Sequence, residues 1–404
     1  MNVTRTWCLI AAFILAVPLH GLTQEAPAGK PAPSNVRGGE YPRILPDRRV
    51  IFRTRLPEAK TVAVRARGND SGMGAETYAL KAMGEGQWEV TIGPIRSGFH
   101  YYELVVDGVA MNDPASLTYF GWARPTSGLE VPDDTLNFYV PKDVPHGEVR
   151  IRPYLSKVTG QFRNAYVYTP PGYDQNPSLR YPVLYLQHGS GENETSWTWQ
   201  GKVNVIMDAL IAEKKAQPML VVMETGYATR AGEAPAATGQ RGAGAGQPDA
   251  FQEVVLRDLI PTIDASYRTL KDRRNRAIAG LSMGAGQAVR IGFGNPDVFA
   301  SVGAFSGGGA GGRGGAAFDR QTAYNGAMAD VAAFNKNFDL FWIGFGDLEG
   351  GYANGKKLHS TLEGDGVKHV WFETLGSHEW QVWRKSLYDF APRLFRTGGA
   401  KKTQ

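Results

Sequence analysis

Five short apolar runs in the second half of the chain constrain its fold most: residues 183–186, 220–223, 277–279, 341–343 and 370–372. None alternates with polar residues, so each reads as a strand buried on both faces. Helical patterns lie between them, as at 203–214 and 254–267. Parallel strands need long crossovers of that kind, so the alternation predicts a parallel sheet covered by helices on both sides. Pro261 falls inside the second helical pattern and predicts a kink or break there, because it has no N–H to donate.

At 404 residues the chain has room for a second domain. Residues 41–140 carry short alternating strands with turns and no helical pattern between them, as in Thr61-Val62-Ala63-Val64-Arg65, and Asp107-Gly108 marks a hairpin. This predicts a small β-sandwich, joined through a linker near 141–148 to a catalytic domain at 149–398. Residues 25–40, rich in Pro, Gly and Ala, read as a flexible tether. Residues 1–24 read as a signal peptide, with Arg5 ahead of an apolar stretch that Pro18 ends. The expected location is therefore periplasmic or extracellular, with no membrane attachment after cleavage. The single cysteine, Cys8, lies inside that signal, which excludes a cysteine nucleophile and thiolate metal sites in the mature chain. The formal net charge of +5 comes from scattered Lys and Arg, with no basic stripe interleaved with aromatics, and so predicts no nucleic-acid partner. Residues 229–248 and 307–317 are dominated by Gly and Ala and cannot bury a core face, so they read as surface loops.

The chemistry centres on Gly280-Leu281-Ser282-Met283-Gly284, which follows one of the apolar runs and precedes a small-residue helical segment. That is the strand–turn–helix setting of a nucleophile elbow. A serine hydroxyl needs a general base, and the base needs an orienting acid. Of the three histidines after Ser282, His359 sits in a helical pattern and His369 opens a strand. His378 lies in a polar turn just past a strand end and is the expected base. The acid should lie between Ser282 and His378, again past a strand. Asp347 fits best, with Glu349 two residues on as the alternative. Met283 follows the nucleophile and Ser190 lies in the turn His188-Gly189-Ser190-Gly191, so their N–H groups are the expected oxyanion donors. His188 reads as structural, and no ligand-spaced partner accompanies it, so neither a metal nor a cofactor is expected. These residues by themselves imply serine-dependent acyl transfer.

Two resemblances extend this reading. His188-Gly189-Ser190-Gly191-Glu192 with Trp197, the stretch from Gly280 to Ala288, Asp347, and His378-Glu379-Trp380 with Trp383-Arg384 together resemble the esterase D and feruloyl esterase group, carbohydrate esterase family one. The likeness spans residues 161–395, with Ala285 replacing a frequent glycine. It implies an α/β-hydrolase fold and hydrolysis of feruloyl or acetyl esters on plant xylan or of a small aromatic ester. Trp197, Gln287, Trp380 and Trp383 become candidate substrate contacts, although core packing explains the three tryptophans equally well. Earlier in the chain, Gly86-Gln87-Trp88-Glu89-Val90, Gly98-Phe99-His100-Tyr101-Tyr102, Val106-Asp107-Gly108 and Asn112-Asp113-Pro114 resemble the immunoglobulin-like module of glycogen-branching enzymes. Tyr119, Phe120 and Trp122 are its candidate glycan contacts, or else a domain interface. A siderophore esterase, an acyltransferase and a glycan-binding protein with an inactive esterase domain are the competing readings.

Overall fold

The computed structural model describes residues 29–68, 72–74, 76–133, 135–234, 249–309 and 318–396. The expected signal peptide, the start of the tether and most of both Gly/Ala-rich segments lie outside the described residues.

Among the described residues the N-terminal part holds eleven strands: β1 (Lys30–Pro31), β2 (Arg43–Ile44), β3 (Val50–Arg55), β4 (Val62–Arg67), β5 (Thr77–Ala79), β6 (Lys81–Gly84), β7 (Gln87–Ile92), β8 (Gly98–Val106), β9 (Val109–Met111), β10 (Thr118–Gly121) and β11 (Arg124–Val131). They form one sheet in the order β1-β2-β3-β7-β6 and another in the order β10-β11-β8-β4-β5, with β9 on β8. Alternation decides what each face buries. Val50 and Phe52 of β3, Val62 and Val64 of β4, Ile92 of β7, and Tyr102 and Leu104 of β8 close into one core cluster between the sheets. The Asp107-Gly108 turn joins Val106 to Val109 with both central residues at positive φ, 50° and 85°, as a tight two-residue hairpin requires.

The tether expectation is corrected from residue 29 onward. Lys30–Pro31 pairs with Arg43–Ile44, and Ala32 is buried in the core cluster. Composition suggested flexibility, but paired backbone and a small buried side chain hold this stretch down.

The C-terminal part is one sheet of eight strands in the order β12-β13-β15-β14-β16-β17-β18-β19. These are β12 (Glu148–Leu155), β13 (Phe162–Thr169), β14 (Val183–Gln187), β15 (Leu220–Glu224), β16 (Arg276–Leu281), β17 (Ser301–Phe305), β18 (Leu340–Gly346) and β19 (Val370–Thr374). The β12/β13 and β13/β15 pairs are antiparallel and every later pair is parallel. The sheet is thus mostly parallel, with its antiparallel pairs confined to one edge. The helices are α1 (Ser196–Trp199), α2 (Val203–Ala212), α3 (Ala250–Glu253), α4 (Ile260–Ser266), α5 (Met283–Gly294), α6 (Val331–Asn337), α7 (Tyr352–Gly364) and α8 (Trp380–Phe390). A π-helical turn, Val254–Leu259, joins α3 to α4 just before Pro261. A proline ring displaces the carbonyl one turn before it, and a wider turn takes up that loss.

Both sheet faces are covered. Val183 and Tyr185 of β14 join a core with Ile263 of α4, Ala288 of α5 and Leu358 of α7. Leu184 and Leu186 of the same strand join a second core with Ile206 of α2 and Leu387 of α8. That second core also takes Phe99 and Tyr101 from β8. The strand therefore serves two cores, Tyr102 and Leu104 facing its own sheets and Phe99 and Tyr101 facing the helices. Between Leu129 and Val131, Glu130 points the same outward way and meets Arg384 of α8 in a two-pronged pair at 2.7 and 2.8 Å.

Candidate active site

Ser282 stands at the end of β16 and caps α5, with φ 52° and ψ −111°. A non-glycine residue there is strained, and such strain persists only where surrounding structure fixes it. Here the Ser282 N–H donates to Phe305 O at 2.8 Å. The flanking glycines are steric necessities. A Cβ on Gly280 would stand 2.5 Å from the Gly284 carbonyl carbon, and one on Gly284 would stand 2.5 Å from His188 O. The Met283 N–H opens α5 and has no acceptor within the helix.

Three further strand ends converge beside Ser282. In the register, Leu281 lies opposite Phe305, Phe305 opposite Gly344, and Gly346 opposite Thr374. The residues after β16, β17, β18 and β19 therefore share one edge of the sheet. His378, in the turn after β19, has a side chain about one-third exposed. Its Nδ1 lies 2.9 Å from Glu349 Oε2. The carboxylate fixes the tautomer, with the proton on Nδ1 and the Nε2 lone pair free. The Trp383 ring packs edge-on against the imidazole at 5.1 Å between centroids.

The acid expectation is corrected here. Asp347 is exposed and accepts the Gly376 N–H at 2.9 Å. Glu349, its carboxyl almost fully buried, reaches back under His378. The chain leaves β18 in a turn closed by Glu349 N to Gly346 O at 3.2 Å. The first residue of that turn points to solvent, and the third turns inward. Glu349 Oε1 also accepts from the Gly346 N–H and from Ser306 Oγ, both at 2.6 Å. Ser306 in turn accepts the Trp383 Nε1–H at 2.9 Å. Ser306 was not anticipated; its placement directly after β17 is the only sequence signal for it. Among the described residues, Ser282 Oγ and His378 Nε2 share no hydrogen bond, and such contacts commonly tighten only once substrate is bound.

Ser190 is exposed in the turn after β14, and this turn touches the elbow. A Cβ on Gly189 would lie 3.5 Å from Ser282 Cβ. His188 is buried; its Nδ1 meets Gly189 O at 2.7 Å and its Nε2 accepts the Gly226 N–H at 2.9 Å. Burial pushes its pKa down to about 4, so the ring is neutral at pH 7 and both nitrogens are engaged. Among the described residues no three metal-ligating side chains are grouped.

The candidate substrate contacts are also corrected. Trp197 and Trp380 are each 1% exposed, and Trp383 and Gln287 are buried too. Trp197 donates its indole N–H to Gln187 O and Trp380 to Tyr101 Oη, and Gln287 donates from Nε2 to Gly226 O while its buried Oε1 has no hydrogen-bond partner among the described residues. All four lie in the interior, with Trp383 against the His378 ring. Of the N-terminal aromatics, Tyr119 is buried and the Phe120 carbonyl accepts from Gln200 of the other part, while Trp122 is exposed.

A strained serine between strand and helix, at the edge where a mostly parallel sheet ends, defines an α/β-hydrolase. The chain belongs to the Esterase family, whose model matches residues 156–394. It is 36% identical over 375 residues to an endo-1,4-beta-xylanase/feruloyl esterase of Xylanibacter ruminicola, covering 91% of this chain and 47% of that protein. The chain thus spans about half the length of that relative. Among solved structures, the CE1 ferulic acid esterase of Anaeromyces mucronatus is similar at 26% identity and TM-score 0.53, over 65% of this chain and 96% of that one. The enterochelin esterase of Shigella flexneri shares the fold at 17% identity and TM-score 0.63, over 88% of this chain and 94% of that one.

Proposed function

We propose that this chain is an exported serine esterase releasing hydroxycinnamoyl groups, feruloyl above all, from esterified plant cell-wall glycan, with Ser282, His378 and Glu349 as its triad. The hydrogen bond from His378 to Glu349, beside a serine held at an elbow, carries the mechanism. The xylanase/feruloyl esterase relative supports the substrate class. His378 Nε2 takes the proton of Ser282 Oγ as that oxygen attacks the ester carbonyl carbon. The Met283 and Ser190 N–H groups hold the oxyanion. His378 returns the proton to the departing sugar alkoxide, leaving an acyl-serine. Water then loses a proton to His378 as it attacks the acyl carbon, and His378 returns that proton to the departing Ser282 Oγ, freeing the acid. Glu349 keeps the imidazole oriented and stabilises its charged form. Residues 1–24 serve as the export signal, and the two N-terminal sheets are an immunoglobulin-like sandwich in a module bounded near residue 140.

Ser282→Ala should abolish hydrolysis of methyl ferulate and block fluorophosphonate labelling. Retained turnover in the pure variant would overturn the assignment. A second reading, a catecholate siderophore esterase, draws on the enterochelin esterase sharing the fold across both parts of the chain. A hydrolysis panel of methyl ferulate, acetylated xylan and a catecholate siderophore separates the two.

A further inference from the structure

Glu192 is a buried carboxylate with no part in the mechanism above. It follows the turn that carries Ser190 and is 5% exposed. Its Oε2 accepts the Gly189 N–H at 3.0 Å, and its Oε1 accepts the Tyr101 hydroxyl at 3.1 Å. Tyr101 belongs to β8, on the far side of the contact between the two parts of the chain. Its oxygen receives Gln200 Nε2–H at 2.7 Å and Trp380 Nε1–H at 3.1 Å.

A phenol has one proton and two lone pairs. Gln200 and Trp380 occupy both lone pairs, so the proton points at Glu192. Both Glu192 oxygens therefore face donors, one from the backbone of the turn and one from Tyr101. A carboxylate satisfies both, whereas a carboxamide must turn its NH2 toward one of them. Burial pushes the Glu192 carboxyl up to about 7, with the Gly189 N–H opposing. Holding an acceptor here has a cost in stability that packing alone does not explain. The turn it holds stands against the elbow at Ser282. The N-terminal part also grips both neighbours of His378. Arg96 donates to Ser377 Oγ at 2.8 Å and pairs with Glu379 at 3.1 Å, and the Gly72 N–H donates to Glu379 Oε2 at 2.9 Å.

We propose that Glu192 is a positioning residue for the oxyanion turn, anchored by Tyr101, so that the N-terminal β region is a working part of the esterase site. The inference rests on Ser190 being an oxyanion donor and Ser282 the nucleophile.

The test uses the full chain with a 4-nitrophenyl ester, active sites being titrated to completion with a fluorophosphonate so that kcat is per competent serine. Tyr101→Phe and Glu192→Gln should each lower kcat roughly tenfold with KM within about twofold, because a displaced oxyanion donor weakens the transition state more than the ground state. The double variant should be no slower than the slower single one, since both cut the same link. Wild-type kcat in folded Tyr101→Phe, or losses that multiply in the double variant, would overturn the proposal. Tyr101→Phe is decisive alone if Glu192→Gln does not fold. An active Ser282→Ala would instead remove the nucleophile assignment beneath it, an outcome distinct from any behaviour of the Tyr101 and Glu192 variants.

Discussion

Glu349, and not Asp347 two residues before it, shares a hydrogen bond with His378, at 2.9 Å from Nδ1. Asp347 spends its carboxylate on the Gly376 N–H, which shapes the turn carrying His378 without touching the ring. Glu349→Gln should therefore lower kcat/KM by roughly 10³ to 10⁴, because an amide can present its N–H to Nδ1 and invert the tautomer. Asp347→Asn should stay within about tenfold, losing only part of a turn contact. Parallel kinetics of the two variants on one soluble ester decide the matter, and a larger loss in Asp347→Asn would reverse the assignment.

Ser306 ties Glu349 to Trp383, the two groups that flank His378. It donates to Glu349 and accepts from Trp383, while Trp383 packs against the His378 ring. Ser306→Ala strands the buried Trp383 N–H and removes a donor from Glu349. About 1–3 kcal/mol of stability should be lost in chemical denaturation, the usual consequence of a buried unpaired polar group. Ser306→Thr, which keeps the hydroxyl, should recover part of it. Equal stability of the alanine variant and wild type would show that the link carries no weight.

The elbow was legible because its requirements are local. Gly280 and Gly284 are dictated by backbone passing within 2.5 Å, and apolar run, glycine and small-residue helix are contiguous in sequence. The strands β14, β15, β16, β18 and β19 were legible for a similar reason, since apolar residues fill both of their faces. Strand β17, Ser301–Phe305, is not among the five apolar runs, because Gly303 and Ala304 give it little β propensity; it is a strand by virtue of its neighbours β16 and β18. The choice between Asp347 and Glu349 depends on how a turn directs side chains two residues apart, which residue type does not encode. The tryptophans leave both readings open in the sequence because an indole suits a core as well as a sugar, and Trp380 finds its acceptor in Tyr101, 279 residues away. The grip of the N-terminal region on the His378 turn is equally non-local, with 307 residues between Gly72 and Glu379.

Arg96 provides a direct probe of that grip. Its guanidinium contacts Ser377 and Glu379, the residues on either side of His378. Arg96→Ala leaves the Gly72 N–H on Glu379, so the turn should loosen without being released. A fall in kcat of about three- to tenfold on a small soluble ester is expected, the scale of a slightly misplaced base. A small substrate removes any contribution from polymer binding. An unchanged kcat would mean that the turn is held from the catalytic part alone.

Glu192 links activity and stability with opposite signs. Burial raises its carboxyl from an ordinary 4.5 to about 7 in the folded chain. The folded state therefore holds the proton more tightly than the unfolded one. Its stabilising contribution is complete below pH 4.5 and is lost as pH rises through about 7, amounting to roughly 3 kcal/mol at most. Glu192→Gln has no proton to lose. The melting temperature of wild type relative to this variant should therefore fall between pH 5 and pH 8, even though the variant is the slower enzyme. The reason is chemical: the ionised form, costly to bury, is the one that accepts from Gly189 and Tyr101 together. A melting-temperature difference that stays flat across this range would show that Glu192 does not titrate there, and that it holds the turn in a single protonation state.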